Sequence, residues 1–206
     1  MNELKLTDEN PQIFKESGCC LIKNVLDIDL CNFLSTQIEL DSLDTNKLNS
    51  QQVAGSIELY NTQSMQITNN LTLDKIKNYL ELKQLFSTYS FYRKYYKFQT
   101  LDKHIDRPEC EISISVCLGM EDKTKPWPIY FENTEQNTVY RAEPSVGDGV
   151  LYLGMKLPHW RKKCEQKWVK QAFFHYSTNR ELEFDPKNAD GNTERKNLIK
   201  IICENL

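Results

Sequence analysis

Three histidines occur in the chain, His104, His159 and His175, and two of them stand where they could hold a metal. His104 and Asp106 are two residues apart, and in an extended segment such residues point the same way. A His-x-Asp pair at a strand end therefore aims an imidazole and a carboxylate at one point. His159 follows later in the chain. Two histidines and one carboxylate form the facial donor set of non-haem Fe(II), which leaves coordination positions open for substrates. A basic cluster comes just after His159: Arg161, Lys162, Lys163, Lys167 and Lys170. A dicarboxylate co-substrate would need such a cation at the floor of its pocket, ideally one able to bond both carboxylate oxygens.

The elements around these residues change character along the chain. Gly18 to Leu26 has strand character, and Asp27 or Asp29 can cap a following helix that carries Leu30, Phe33, Leu34 and Ile38 at helical spacing. Residues 41–70, rich in Asn, Ser, Thr and Gln, read as loop with a short strand or helix. Leu71 to Phe86, with Thr72 as cap, reads as a second helix. From Ser90 the period shortens. Phe91–Tyr96 is aromatic, Glu111–Leu118 alternates Ile, Ile, Val and Leu with polar residues, and Pro126–Phe131, Val139–Ala142, Val150–Leu153 and Trp168–Tyr176 follow, with a Gly147-Asp148-Gly149 turn. Glu194–Asn205 has helical spacing again. Helices first and short strands afterwards predict an α+β, mainly β, protein: an antiparallel sandwich or barrel with helices packed outside. The predicted division is one domain over 1–206, with a strand and helices over 1–89, a barrel core over 90–176, and a tail and helix over 177–206.

The 206 residues are 39% hydrophobic and 27% charged, a globular composition for a single domain. With Lys+Arg 26 against Asp+Glu 29, the net charge of −3 argues against a general nucleic-acid coat. No apolar run is long enough to span a membrane, and the first residues lack signal-peptide order. Seven cysteines without a C-x-x-C pair read as buried, reduced thiols of an intracellular, cytoplasmic protein.

From Tyr92 to Tyr176 the chain resembles the double-stranded β-helix core of the Fe(II)- and 2-oxoglutarate-dependent dioxygenases, a jelly-roll or cupin-like barrel, and it looks nearest to the prolyl-4-hydroxylase-like branch with its bacterial and phage members. The residues carrying the likeness are Leu101-Asp102-Lys103-His104-Ile105-Asp106-Arg107-Pro108, Cys110–Ser115, Trp127-Pro128, Gly147–Tyr152, Pro158-His159-Trp160-Arg161 and Gln171–Tyr176. The resemblance implies His104, Asp106 and His159 as iron ligands and Tyr96, eight residues before His104, as a 2-oxoglutarate contact. For the cation that binds the distal carboxylate, Lys170 matches the family's place eleven residues past His159, and Arg161, two past it, is the rival. Ser113 would line the same pocket. The implied cofactors are Fe(II), 2-oxoglutarate as co-substrate, and O2. The implied reaction is hydroxylation of a C–H bond on a protein or peptide side chain such as proline; a free amino acid or small metabolite is the alternative substrate. Two further readings stay open: a cupin-like metal enzyme that does not use 2-oxoglutarate, and a non-catalytic binding module on the same barrel. His175, between Phe174 and Tyr176, is expected to be a packed, hydrogen-bonded core histidine.

Overall fold

The computed structural model describes residues 2–7, 10–43, 50 and 52–182. The helix expected over 194–205, like Cys203, lies outside the described residues. In chain order the elements are β1 (Asn2–Lys5), α1 (Pro11–Ser17), β2 (Cys19–Ile22), α2 (Ile28–Asp41), β3 (Ile57–Tyr60) and α3 (Gln63–Tyr79). Then come β4 (Phe86–Tyr96), β5 (Leu101–His104), β6 (Ile112–Met120), β7 (Ile129–Asn133), β8 (Thr138–Ala142), β9 (Gly149–Tyr152), β10 (His159–Arg161) and β11 (Trp168–Ser177). A 3-10 turn at Pro108–Cys110 separates β5 from β6.

The strands form two sheets. The major sheet has the order β2-β9-β6-β11-β4-β3, and the minor sheet β1-β8-β7-β10-β5. Apart from the parallel β1–β8 edge, all pairings are antiparallel. This is the antiparallel sandwich that the sequence pattern predicts, in the jelly-roll, double-stranded β-helix arrangement that the resemblance implies. Long-range antiparallel pairs from β2 to β9 and from β4 to β11 close the sandwich from residues far apart in the chain.

Both faces of the major sheet are covered. On the outer face, Leu34 and Ile38 of α2 and Met65 and Ile76 of α3 pack on Tyr92, Ile114, Val116, Ala172 and Phe174. On the inner face, Phe91, Tyr95, Cys117, Val169 and Phe173 face the minor sheet. Asp27 caps α2 by accepting from the Leu30 N–H at 2.7 Å, as expected of an Asp at that position.

The helix predicted over 71–86 lies earlier, at Gln63–Tyr79, and its cap is Thr62, whose Oγ1 accepts from the Met65 N–H at 3.3 Å. Thr72 is buried in mid-helix and hydrogen-bonds the Thr68 and Asn69 carbonyls and the Tyr176 hydroxyl. Two Thr and three Asn in this helix masked its period, because such residues favour caps and turns intrinsically; burial against the sheet overrides that preference. No helix among the described residues is long and apolar enough to cross a membrane.

Candidate metal centre and its cavity

His104 ends β5 and His159 begins β10, and the two are directly paired across the minor sheet. Their ring centroids stand 4.3 Å apart. Asp106 lies just beyond β5, its backbone N–H bonded to the Gly154 carbonyl at 2.9 Å. Its Oδ1 is 3.4 Å from His104 Nε2 and 3.6 Å from His159 Nε2. Donors about 2.1 Å from a shared metal on one octahedral face stand about 3 Å from one another, so a small inward movement would complete the set.

Backbone contacts orient both imidazoles. His104 Nδ1 donates to the Asp102 carbonyl at 2.8 Å, and His159 Nδ1 to the Leu157 carbonyl at 2.9 Å. Each bond keeps the proton of the neutral ring on Nδ1 and leaves Nε2, on the Asp106 side, to take a metal or, when the ring is charged, a proton shared with Asp106. Burial disfavours the Asp106 carboxylate, but the His104 hydrogen bond and the charges of His159, His175 and His104 outweigh it and hold the pKa below the usual carboxylate range. Burial likewise disfavours a charged His104, yet Asp106 and the Asp102 carbonyl raise its pKa; at His159 burial prevails and the pKa falls. Asp106 Oδ2 is buried with no hydrogen-bond partner. An ionised, buried carboxylate with an orphaned oxygen beside two imidazole lone pairs fits a divalent cation.

Gly154 makes room for this carboxylate. A Cβ there would stand 2.5 Å from Asp106 Oδ2 and 2.5 Å from the Cys110 carbonyl. Gln52, ahead of β3, places its amide nitrogen 3.0 Å from His104 Nε2. Neither residue carried a local sequence signal.

The three groups line a cavity of about 720 Å³. Its opposite wall is a run of stacked rings on β3, β4 and β11. Phe91 stacks on Phe173 at 4.4 Å and on Tyr60 at 4.9 Å, and Tyr89 stacks on His175 at 4.4 Å. His175 is the packed, hydrogen-bonded residue expected: it is buried, and its Nδ1 shares a 2.8 Å hydrogen bond with Ser113 Oγ. A buried ion pair, Arg93 with Glu58, also reaches the cavity; Arg93 Nε donates to Glu58 Oε2 at 2.8 Å, and Arg93 Nη1 to the Tyr95 hydroxyl at 3.2 Å.

The two proposed cations fall in different compartments. Arg161 is 1% exposed, inside the sandwich. Its Nη1 donates to the Trp127 carbonyl at 2.8 Å, its Nη2 reaches Ser115 Oγ at 3.4 Å, and its Nε has no partner. Burial lowers its pKa, and no carboxylate among the described residues pairs with it. Ser115 in turn donates to Gln171 Oε1 at 3.3 Å. Lys170 instead faces the helices, where its Nζ donates to the Ser35 carbonyl and hydroxyl at 2.8 Å and pairs with Glu39 at 2.6 Å. It is therefore a sheet-to-helix clamp on the other side of the sheet from the cavity, whereas Arg161 lies inside the sandwich, behind the residues that line the cavity. Tyr96 shares the side of Lys94, whose ammonium lies 5.4 Å from its ring and pairs with Glu39. Its neighbour Tyr95, like Tyr89 further back on β4, faces inward. Ser113 does point inward, but toward His175; the serine beside Arg161 is Ser115, two residues on and on the same face.

No family model matches the chain, and no curated protein matches it in sequence. Solved structures do match its fold. An oxidoreductase of the 2OG-Fe(II) oxygenase family from Burkholderia pseudomallei superposes with a TM-score of 0.65 at 11% identity, over 86% of this chain and 95% of that one. A Pseudomonas putida prolyl-4-hydroxylase gives 0.62 at 12% identity, over 81% and 96%. HygX from Streptomyces hygroscopicus, with nickel, 2-oxoglutarate and hygromycin B bound, gives 0.62 at 14% identity, over 85% and 88%. The fold is thus that of the 2OG-Fe(II) oxygenases.

Proposed function

We propose that this protein is an Fe(II)- and 2-oxoglutarate-dependent dioxygenase that hydroxylates a C–H bond. The observation that carries this reading is the convergence of His104 Nε2, His159 Nε2 and Asp106 Oδ1, with both tautomers set by backbone carbonyls. Fe(II) held there would supply oxygen activation coupled to conversion of 2-oxoglutarate to succinate and CO2. His104, Asp106 and His159 would hold the metal from one side and leave the cavity side open. Arg161, with Ser115, is the cation for the distal carboxylate: a buried guanidinium with no acidic partner is a site waiting for an anion. Phe131 and Tyr152, packed around His159, exclude water from the metal side.

The ring wall of Tyr60, Tyr89, Phe91 and Phe173 suits an apolar ring or chain held over the metal, such as a prolyl side chain of a peptide. A compact small molecule is the second reading, favoured by the buried Arg93–Glu58 pair in the same cavity, which could meet a polar substrate's charges. The six described cysteines are buried thiols outside any disulfide, as suits a reducing, cytoplasmic setting.

The test is anaerobic absorbance as Fe(II) and then 2-oxoglutarate are added to metal-free protein. A visible charge-transfer band that His159→Ala abolishes, followed by succinate release in air, is the expected result. Iron binding without the band would favour a metal enzyme that does not use 2-oxoglutarate, and no iron binding would leave a binding module.

A further inference from the structure

Tyr89 and Cys110 make a contact that the reaction does not require. The Tyr89 hydroxyl lies 3.0 Å from Cys110 Sγ, and both residues are buried on the cavity wall. Cys110 Sγ, an Asp106 carboxylate oxygen and a His175 ring nitrogen all lie within 4.8 Å of one another, so the thiol is a direct neighbour of a proposed metal ligand. The tyrosine ring is fixed: His175 stacks on it at 4.4 Å and the Arg107 guanidinium lies 4.6 Å from its centre. Two oxidisable groups thus share one contact beside a site read as an oxygen-activating centre.

We propose that Tyr89 and Cys110 become joined by a thioether, a cross-link the metal site makes in its own chain when no substrate is bound. The proposal rests on the oxygenase reading above. The bond formed joins Cys110 Sγ to the ring carbon beside the Tyr89 hydroxyl. The bonds broken are the S–H and that carbon's C–H. Their two hydrogens leave with one oxygen atom of O2 as water. The other oxygen atom enters one molecule of 2-oxoglutarate, which becomes succinate and CO2. One cross-link therefore consumes one O2 and one 2-oxoglutarate. Fixed proximity makes the coupling effectively unimolecular. The product would tie the 3-10 turn Pro108–Cys110, which directly follows the Asp106 loop, to the long strand β4, and so stiffen the carrier of the carboxylate ligand.

The molecule contains its own control. Tyr79 and Cys20 form a second phenol–thiol contact at 3.5 Å, among the residues between the helices and the outer face of the major sheet. It has the same chemistry without the metal site.

Metal-free protein is supplied with Fe(II), 2-oxoglutarate and air without substrate, and followed by intact-mass and peptide mass spectrometry, a thiol count after denaturation, and succinate release. The expected result is a loss of two hydrogen masses, one fewer thiol, one succinate per cross-link, and a linked peptide pair containing Tyr89 and Cys110. Tyr89→Phe and Cys110→Ser each lose the linked pair, while Tyr79 and Cys20 stay separate. Succinate release with unchanged mass, or with oxygen atoms added to Cys110 or Tyr89 instead, overturns the cross-link and leaves the oxygenase reading standing. Equal linkage of Tyr79 to Cys20 overturns it as metal-directed chemistry. Iron binding with neither succinate release nor a change of mass also overturns the cross-link alone, and failure to bind iron overturns both.

Discussion

Replacing Arg161 by Met separates a co-substrate anchor from a structural residue, because the two roles predict opposite signs. The guanidinium is fully buried, with one good hydrogen bond to the Trp127 carbonyl, one long contact to Ser115 and an unpartnered Nε. Removing a charge from water costs several kcal/mol unless a partner offsets it, and apolar replacements of buried ionic groups are often neutral or stabilising by about 1–4 kcal/mol. Arg161→Met of similar length is therefore expected to melt at the same temperature as the parent without ligands, or higher. A bound carboxylate would receive two charge-assisted hydrogen bonds from the fork, each worth about 1.5–3 kcal/mol. Their loss of about 3 kcal/mol or more corresponds to an affinity for 2-oxoglutarate at least ~100-fold weaker. The assay is anaerobic titration of 2-oxoglutarate into the metal-loaded protein, beside thermal melts of the metal-free forms. Arg161→Lys, which keeps the charge and loses the fork, is expected to fall between. A marked loss of stability with unchanged 2-oxoglutarate affinity would refute the reasoning.

Lys170→Met is expected to leave 2-oxoglutarate affinity unchanged and to cost about 1–2 kcal/mol of stability, since Glu39 is half-exposed and keeps Lys94; a co-substrate defect would move the anchor back to β11. Gly154→Ala should lower metal affinity about 10-fold or more by displacing Asp106 Oδ2, read by metal titration, and wild-type affinity would show that the carboxylate is not confined there. In the metal-free protein His104 has a raised pKa, so its stabilising contribution is fully present below about pH 6.5 and is lost as pH rises through that raised value. His104→Gln is therefore expected to lose more stability at pH 6 than at pH 8 in paired melts. Metal affinity should run the other way: protons compete first at His104, so binding weakens from pH 8 to pH 6, and a pH-independent affinity would exclude it as a ligand.

The sequence by itself determined the class of fold and singled out His104, Asp106 and His159, which the structure brings together. Asp27 and the spacing of Leu34 and Ile38 specify α2, and the alternation Ile112, Ile114, Val116, Leu118 specifies β6, because a periodic apolar stripe has one way to be buried. His-x-Asp is local, so its convergence follows from strand geometry once a partner histidine is paired beside it. What the sequence left open was orientation within strands buried on both sides. In β4 and β11 nearly every residue is buried, one face under helices and the other in the sandwich, so no polar–apolar contrast marks the inward side. Tyr95 and Tyr96, or Lys170 and Gln171, are interchangeable to a pattern reader. Their sides were set by register with β6 and by the docking of α2, whose Glu39 and Ser35 capture Lys170. Gln52, Gly154 and the Tyr89–Cys110 contact depend on residues brought together from separate strands and loops, and only the tertiary structure decided them.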